Sequence, residues 1–454
     1  MKIQRFDNEL EEIFRAFNIP SDGFAYNIEL LQDKANIILI YGDIYNTSVD
    51  LLSNLPELII NRRIKRAAKN LLYIILSLIS GIKLPYGSLT GVRPTKLYYE
   101  LMKECENPAE ILINEFYVSE PKARLIERVI SSQKCIYNTE KDKVDLFINI
   151  PVCASRCAYC SFLCSVLNKT PIDEYVIKLR EDIDRAIKLC DFGKKVRAVY
   201  IGGGTPTSLS LAQLHAVLAP VSGLDCEITV EAGRPDSINA EKLKLLKDYN
   251  VTRISVNPQT LKDSTLELIG RQHTVKEFYD AFYEASKYEF DINADIIAML
   301  PGETLEDFIN TVKGVIALRP DNITVHTLSL KRGSVLKLAD FDNRNRDLAA
   351  SMIDYSHSAL DDAGYDPYYM YRQKYMSGNL ENTGYSRPDK QCVYNIDMME
   401  ETHSIIACGA GAISKRISGD RIDRAANAKD IGVYIERFEE IMAKREKLFI
   451  NSGV

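Results

Sequence analysis

The chain has 454 residues, 46% hydrophobic and 26% charged, a globular balance that excludes a disordered or fibrous protein. Its 57 basic and 63 acidic residues give a net charge of -6, which argues against a sequence-independent grip on nucleic acid. At about 150 residues per domain, the length fits two or three domains.

The amino-terminal MKIQRFDNEL lacks an apolar core with a small-residue cleavage site, so no secretory signal is expected and the chain is placed in the cytoplasm. Helices are expected near 7–17 and 61–82, an extended run at NIILIYGDIYN (36–46), and then PYGSLTGVRPTKL (85–97). The longest apolar stretch, Leu71 to Leu84, is shorter than the ~20 residues of a membrane span and reads as a buried helix. Residues 1–140 are read as an α+β amino-terminal domain.

From Leu146 to Leu328 strand and helix patterns alternate. The strands are LFINI (146–150), VRAVYI (196–201), CEITVE (226–231), TRISVN (252–257), DINADII (291–297) and NITVHTL (322–328). Amphipathic helices fall at Pro171–Cys190, Ser210–Pro220, Asn239–Tyr249, Thr274–Tyr288 and Glu303–Leu318. This alternation predicts an α/β fold with a parallel sheet, doubly wound or rolled into a partial barrel over 141–335. In barrels the chemistry sits at the carboxyl ends of the strands. Those ends carry the cysteine cluster, Gly202-Gly203-Gly204-Thr205, Glu231, Asn257, Gln259, Asp295 and His326. Residues 336–454 are read as a carboxyl-terminal α/β domain closing the barrel, with a helix near Arg344–Gly364, a half-buried strand in PYYMYRQKY (367–375) and the glycine-rich CGAGAISK (408–415).

In a reducing compartment, ten cysteines point to metal or redox chemistry rather than disulfides. INIPVCASRCAYCSFLC places Cys153, Cys157 and Cys160 as C-x3-C-x2-C directly after a strand. Three thiolates on one loop can grip three corners of a [4Fe–4S] cube and leave the fourth iron open. The competing arrangements are a four-cysteine zinc site recruiting Cys164 and a closed ferredoxin-type cluster.

At these residues the chain resembles the radical S-adenosylmethionine (SAM) superfamily, whose C-x3-C-x2-C loop follows the first strand of a partial (β/α)6 TIM-like barrel. The resemblance implies that Cys153, Cys157 and Cys160 bind the cluster and that Cys164 is a bystander. It further implies that SAM chelates the open iron and is cleaved by one electron to a 5'-deoxyadenosyl radical. YIGGGTPTSL (200–209), EITVEAGRPD (227–236), TRISVNPQT (252–260), LIGRQHT (268–274), NADIIAMLPGET (293–304), HTLSLKRGS (326–334) and YNIDMMEETHSIIACGAGAISK (394–415) are similar to the oxygen-independent coproporphyrinogen III dehydrogenase family. VEAGRPD, NPQT, KRGS and LTGVRPTKL resemble its Gram-positive-type branch.

By this resemblance Phe147, Tyr159, Gly203, Gly204, Thr205, Glu231, Gln259, Arg271 and Asp295 stand at positions that contact one or two SAM molecules. The chain departs from the best-described branch: Phe147 and Asn149 replace a tyrosine and a histidine, and Phe162 replaces a cysteine. The implied reaction converts two propionates of coproporphyrinogen III into vinyl groups of protoporphyrinogen IX, with a tetrapyrrole substrate and an electron donor such as flavodoxin or ferredoxin. Carboxylate-binding and aromatic candidates are Arg93, Lys96, Lys331, Arg332, Arg372, Arg387, Tyr365, Tyr368, Tyr369, Tyr371 and Tyr375. His326, His403 and Cys408 receive no role. The alternatives are a haem chaperone of the same superfamily, or a radical SAM enzyme that modifies haem.

Overall fold

The structure is a computed structural model that describes residues 5–51, 57–90, 93–140, 142–160, 165–167, 171–190, 195–329, 334–335, 345–373, 376–419 and 421–450. It divides into two compact units, residues 1–128 and 129–454. In the first, β1 (Ala25–Leu30), β2 (Lys34–Tyr41) and β3 (Asp43–Asp50) form an antiparallel sheet in that order. Helices Asp7–Phe17 and Glu57–Ser80 bury Leu10, Phe14, Leu72 and Leu76 with Ile37 and Leu39 of β2. The single extended run expected over 36–46 is instead a hairpin. Gly42, at φ +72°, supplies the left-handed backbone that reverses the chain between β2 and β3.

The second unit is built on an eleven-stranded sheet. Its parallel centre comprises β4 (Lys143–Ile150), β7 (Lys195–Gly203), β8 (Glu227–Val230), β9 (Arg253–Ser255), β10 (Asp291–Ala298) and β11 (Asn322–Thr327). Between the first two lie the short paired strands β5 (Val152–Cys153) and β6 (Ser165–Val166). The six central strands neighbour one another in chain order, as successive βα crossovers of one hand require. The chain is thus a TIM-like (β/α)6 arrangement, as its alternation predicts. Helix starts follow the sequence closely: Ser210 with Gln213, Thr274 with Glu277 and Thr304 with Asp307 close capping boxes, and Asn239 accepts from the Lys242 amide.

Side-chain alternation divides each strand between two environments. Val144, Leu146, Ile148 and Ile150 of β4 pack against Tyr175, Leu179 and Ile183 of helix Ile172–Cys190. Asp145, Phe147 and Asn149 face the other way, toward Asp397, Tyr394 and Ala410 of the carboxyl-terminal segment.

The carboxyl-terminal segment contributes β12 (Asp366–Tyr371), β13 (Asn382–Ser386), β14 (Ser404–Cys408), β15 (Ile413–Ser418) and β16 (Arg421–Ala426). It extends both edges of the same sheet: β13 and β12 follow β11, while β14 lies parallel to β4 and is followed by β15 and β16. The tyrosine-rich strand is more buried than its alternation predicts. A register shift between Pro367 and Tyr369 lets Tyr368 and Tyr369 enter the core together. Among the described residues no helix is long and apolar enough to cross a membrane.

Candidate functional site

Cys153 ends β5, and Cys157 and Cys160 follow on the same short loop; all three are half-buried thiols outside any disulfide. The loop is held from two sides. The Ala158 amide donates to Ile269 O at 2.8 Å, and the Thr205 amide donates to Val152 O at 2.8 Å. Thr205 Oγ1 lies 3.4 Å from Cys153 Sγ, and Arg234 Nη1 lies 4.0 Å from Cys157 Sγ while donating to Ser155 Oγ at 2.8 Å. Asp236 fixes that guanidinium through contacts of 3.1 and 2.8 Å.

The glycine triplet is demanded by crowding. Gly203 has φ +104°, and a Cβ there would lie 1.8 Å from Asn149 Oδ1; at Gly204 it would lie 2.3 Å from Val152 O. The Gly204 amide already donates to Ile150 O, so this turn is shaped first by the junction of β4 and β7.

Behind the loop, interior side chains at the carboxyl ends of the strands form a polar rim. Tyr200 donates to Glu231 Oε1 at 2.5 Å. Asn257 clasps Asp295 twice, Nδ2 reaching Oδ2 at 2.8 Å and Oδ1 accepting from the Asp295 amide at 3.1 Å. His326 Nε2 stands 3.7 Å from Asp295 Oδ2, and Tyr371 OH 3.5 Å from His326 Nδ1. Arg271, buried beside Tyr159, donates to Gly233 O at 3.1 Å and Asn257 O at 3.4 Å. Its Nε, and Oε1 of the buried Gln259, have no protein partner.

The two rim carboxyls are tuned apart. Burial pushes Glu231 up to about 7, against the pull of its Tyr200 bond. Asp295 is desolvated too, although its side chain stays partly exposed, but His326 and the hydrogen bonds from Asn293 and Thr324 outweigh that desolvation and hold it below the usual range.

Three comparisons bear on this geometry. Residues 148–314 match the Radical SAM superfamily. Over 94% of this chain and 90% of the relative, the sequence is 35% identical to the oxygen-independent coproporphyrinogen-III oxidase-like protein HemZ of Bacillus subtilis. The chain belongs to this radical SAM family. The heme chaperone HemW of Bacillus subtilis is also similar, 36% identical over 42% of this chain and 51% of its own length. The solved structure of coproporphyrinogen III oxidase HemN from Escherichia coli superposes with a TM-score of 0.55 at 22% identity, covering 70% of this chain and 72% of that one, which establishes a common fold.

Membership of the superfamily implies a [4Fe–4S] cluster and SAM, and the residues fit both. A soft three-thiolate set on one loop suits three irons of a cube. The unpartnered Arg271 Nε and Gln259 Oε1 are a buried donor and a buried acceptor suited to a polar ligand. Cys164 and Phe162 lie outside the described residues.

Glu231, Asp295 and His326 gather on one rim, as the strand ends predict. Phe147 stands behind it, its ring 6.4 Å from Tyr200 and 6.2 Å from Tyr394 in an aromatic stack. Asn149 ties the end of β4 to Ala410 O of the glycine-rich turn. Of the substrate candidates, Tyr371 reaches the rim and Tyr369 lies one layer below it. Tyr365 bonds Pro320 O and Arg387 pairs with Asp321, both at the opposite end of β11, so the fold does not bring these two to the site. Arg372 is held by Asn379. Arg93 lines a cavity of 380 Å³ in the first unit with Arg62, Lys65, Arg66 and Lys69. Lys331, Arg332 and Tyr375 lie outside the described residues. Sequence reasoning missed Arg234 and Tyr200, although both stand in segments it had singled out.

Proposed function

We propose that the protein is a radical SAM enzyme of tetrapyrrole synthesis that converts coproporphyrinogen III into protoporphyrinogen IX without oxygen. Similarity to HemZ along nearly the whole chain carries this reading. Cys153, Cys157 and Cys160 hold the cluster, which when bound and reduced, by a donor such as flavodoxin or ferredoxin, supplies the electron that cleaves SAM to a 5'-deoxyadenosyl radical.

The chain's own residues do the rest. Thr205 and Arg234 set a hydroxyl and a guanidinium beside two of the cluster sulfurs, which tunes their charge. Gln259 and Arg271 offer their unpartnered polar atoms to SAM, and Glu231 and Asp295 offer carboxyl oxygens to its hydroxyl groups. Each propionate would give a hydrogen atom from its β-carbon to the SAM-derived radical, forming 5'-deoxyadenosine, and then release carbon dioxide as the remaining electron passes to a separate one-electron acceptor, leaving a vinyl group. That sequence needs no protein base. It needs dry walls around a radical, and Phe147, Tyr200, Tyr394, Tyr369 and Tyr371 supply aromatic surface beside and beneath the rim.

The test is an anaerobic incubation of cluster-reconstituted protein with SAM, a low-potential reductant and coproporphyrinogen III, analysed by mass for decarboxylated tetrapyrrole and 5'-deoxyadenosine. Both products are expected, and Cys157→Ala abolishes both. Deoxyadenosine without porphyrin conversion would reject this substrate.

A second reading is a haem chaperone, favoured by the similarity to HemW and by Phe147 and Asn149, which replace the usual tyrosine and histidine. It requires tight, stoichiometric haem binding and neither product in the same incubation.

A further inference from the structure

At the amino-terminal end of β4, the end remote from the cysteine loop, Asp145 faces two side chains from the carboxyl-terminal segment. Asp397 lies in helix Val393–Glu400, and His403 immediately precedes β14. Their ligand atoms all lie within 4.8 Å of one another, and all three residues are buried. Asp145 has no well-formed hydrogen bond, only the Ala198 amide nearby on the paired strand, and His403 Nε2 has no hydrogen-bond partner.

Asp397 is already oriented: Arg197 Nε donates to its Oδ2 at 2.6 Å, and its Oδ1 accepts from Thr402 at 2.5 Å and lies 3.1 Å from His403 Nδ1. Two carboxylates thus face one guanidinium and one imidazole, so that a proton or a bound cation has to balance the pocket. The nearby Glu227 adds no compensation, being an acid itself, engaged by Arg253. Burial, followed by the charge of Asp397, pushes the Asp145 carboxyl well above its ordinary range. A buried pocket of this kind is neutralised either by protons or by a coordinated cation.

We propose that Asp145, Asp397 and His403 bind a divalent transition-metal ion, Mn²⁺, Fe²⁺ or Zn²⁺, at a site separate from the cysteine loop. Two carboxylates and an imidazole form an oxygen-rich set of borderline softness that suits these ions. Arg197 then acts as the outer partner that fixes a ligating carboxylate. Asp145 and Cys153 stand eight residues apart along a nearly extended chain, roughly 25 Å at strand rise, so neither site can borrow the other's ligands. The ion would join the first central strand to the segment that pairs with it, since Ser404 of β14 sits opposite Val144 of β4.

The test uses the full chain carrying Cys153→Ser, Cys157→Ser and Cys160→Ser, so that thiolate-bound iron does not enter the count. It is equilibrated with Mn²⁺ or Zn²⁺ alone, desalted, and assayed for metal content and thermal unfolding. The expected result is one retained equivalent that raises the unfolding temperature. Asp145→Asn and His403→Gln should each lose that equivalent and the shift. If Asp145→Asn fails to fold, His403→Gln carries the comparison. No retained metal in the parent, or equal retention in His403→Gln, overturns the proposal. So does an Asp145→Asn protein that is folded, metal-independent and at least as stable as its parent, because a proton would then satisfy the pocket.

Discussion

Glu231 and Asp295 share one rim, yet only Glu231 holds its proton near neutrality, and this difference is measurable. Between an ordinary carboxyl value of 4.5 and about 7, the folded state keeps a proton that the unfolded chain releases. The contribution to stability is therefore complete below the lower value and lost as pH rises through the upper one. Glu231→Gln removes the titration while keeping an acceptor for Tyr200. From pH 5 to pH 8 the variant should gain on the parent by up to about 3 kcal/mol in urea unfolding of the cluster-free protein. Glu303, also raised to about 7 by burial, is common to both proteins and cancels in the difference. A difference that stays flat with pH would mean that Glu231 titrates as an ordinary surface acid. Glu231, Asp295 and His326 were legible in the sequence because each is a polar residue at or near a strand's carboxyl end. Arg234 was not: it meets Cys157 across 77 residues of chain, a contact that no local pattern encodes.

At the scale of elements, the six central strands and their helices could be read from β-branched runs and cap residues, because both signals are local. Two features escaped that reading for physical reasons. The β2–β3 hairpin hides in one apolar run whose only mark is Gly42, and the parallel pairing of β14 with β4 joins strands about 260 residues apart. The second feature rests on a buried ion pair. Arg445, on helix Phe438–Ile450, donates to Asp182 of helix Ile172–Cys190, and Asp182 also receives the Gly409 amide at 2.9 Å and Tyr434 OH at 2.5 Å. Both side chains are fully buried. Arg445→Met would leave that carboxylate without its counter-charge, at an expected cost of about 3–5 kcal/mol. Adding Asp182→Asn should recover part of the loss, so the double variant costs less than the sum of the singles. A single-variant loss below about 1 kcal/mol, within the range of exposed pairs, would show that Arg445 does not anchor this helix.

For the whole molecule, the division into two units has an energetic consequence. One core cluster of the first unit draws on residues between Phe6 and Leu84, while two clusters of the second begin at Val144 and Leu266, and among the described residues these three clusters share none. Units with such distinct clusters need not unfold together, so denaturant is expected to reveal two transitions rather than one. Leu72, fully buried between helix Glu57–Ser80 and β2, reports on the first: Leu72→Ala removes core volume and should lower its transition by about 2–5 kcal/mol. Arg445→Met reports on the second. Each substitution should move one transition and leave the other in place, and Leu72→Ala should leave the iron bound per chain after reconstitution unchanged, because Cys153, Cys157 and Cys160 belong to the second unit. A single transition displaced by both substitutions would instead mean that the units unfold as one cooperative body, and that the stability of the cluster loop depends on the first unit as well as on the sheet that carries it.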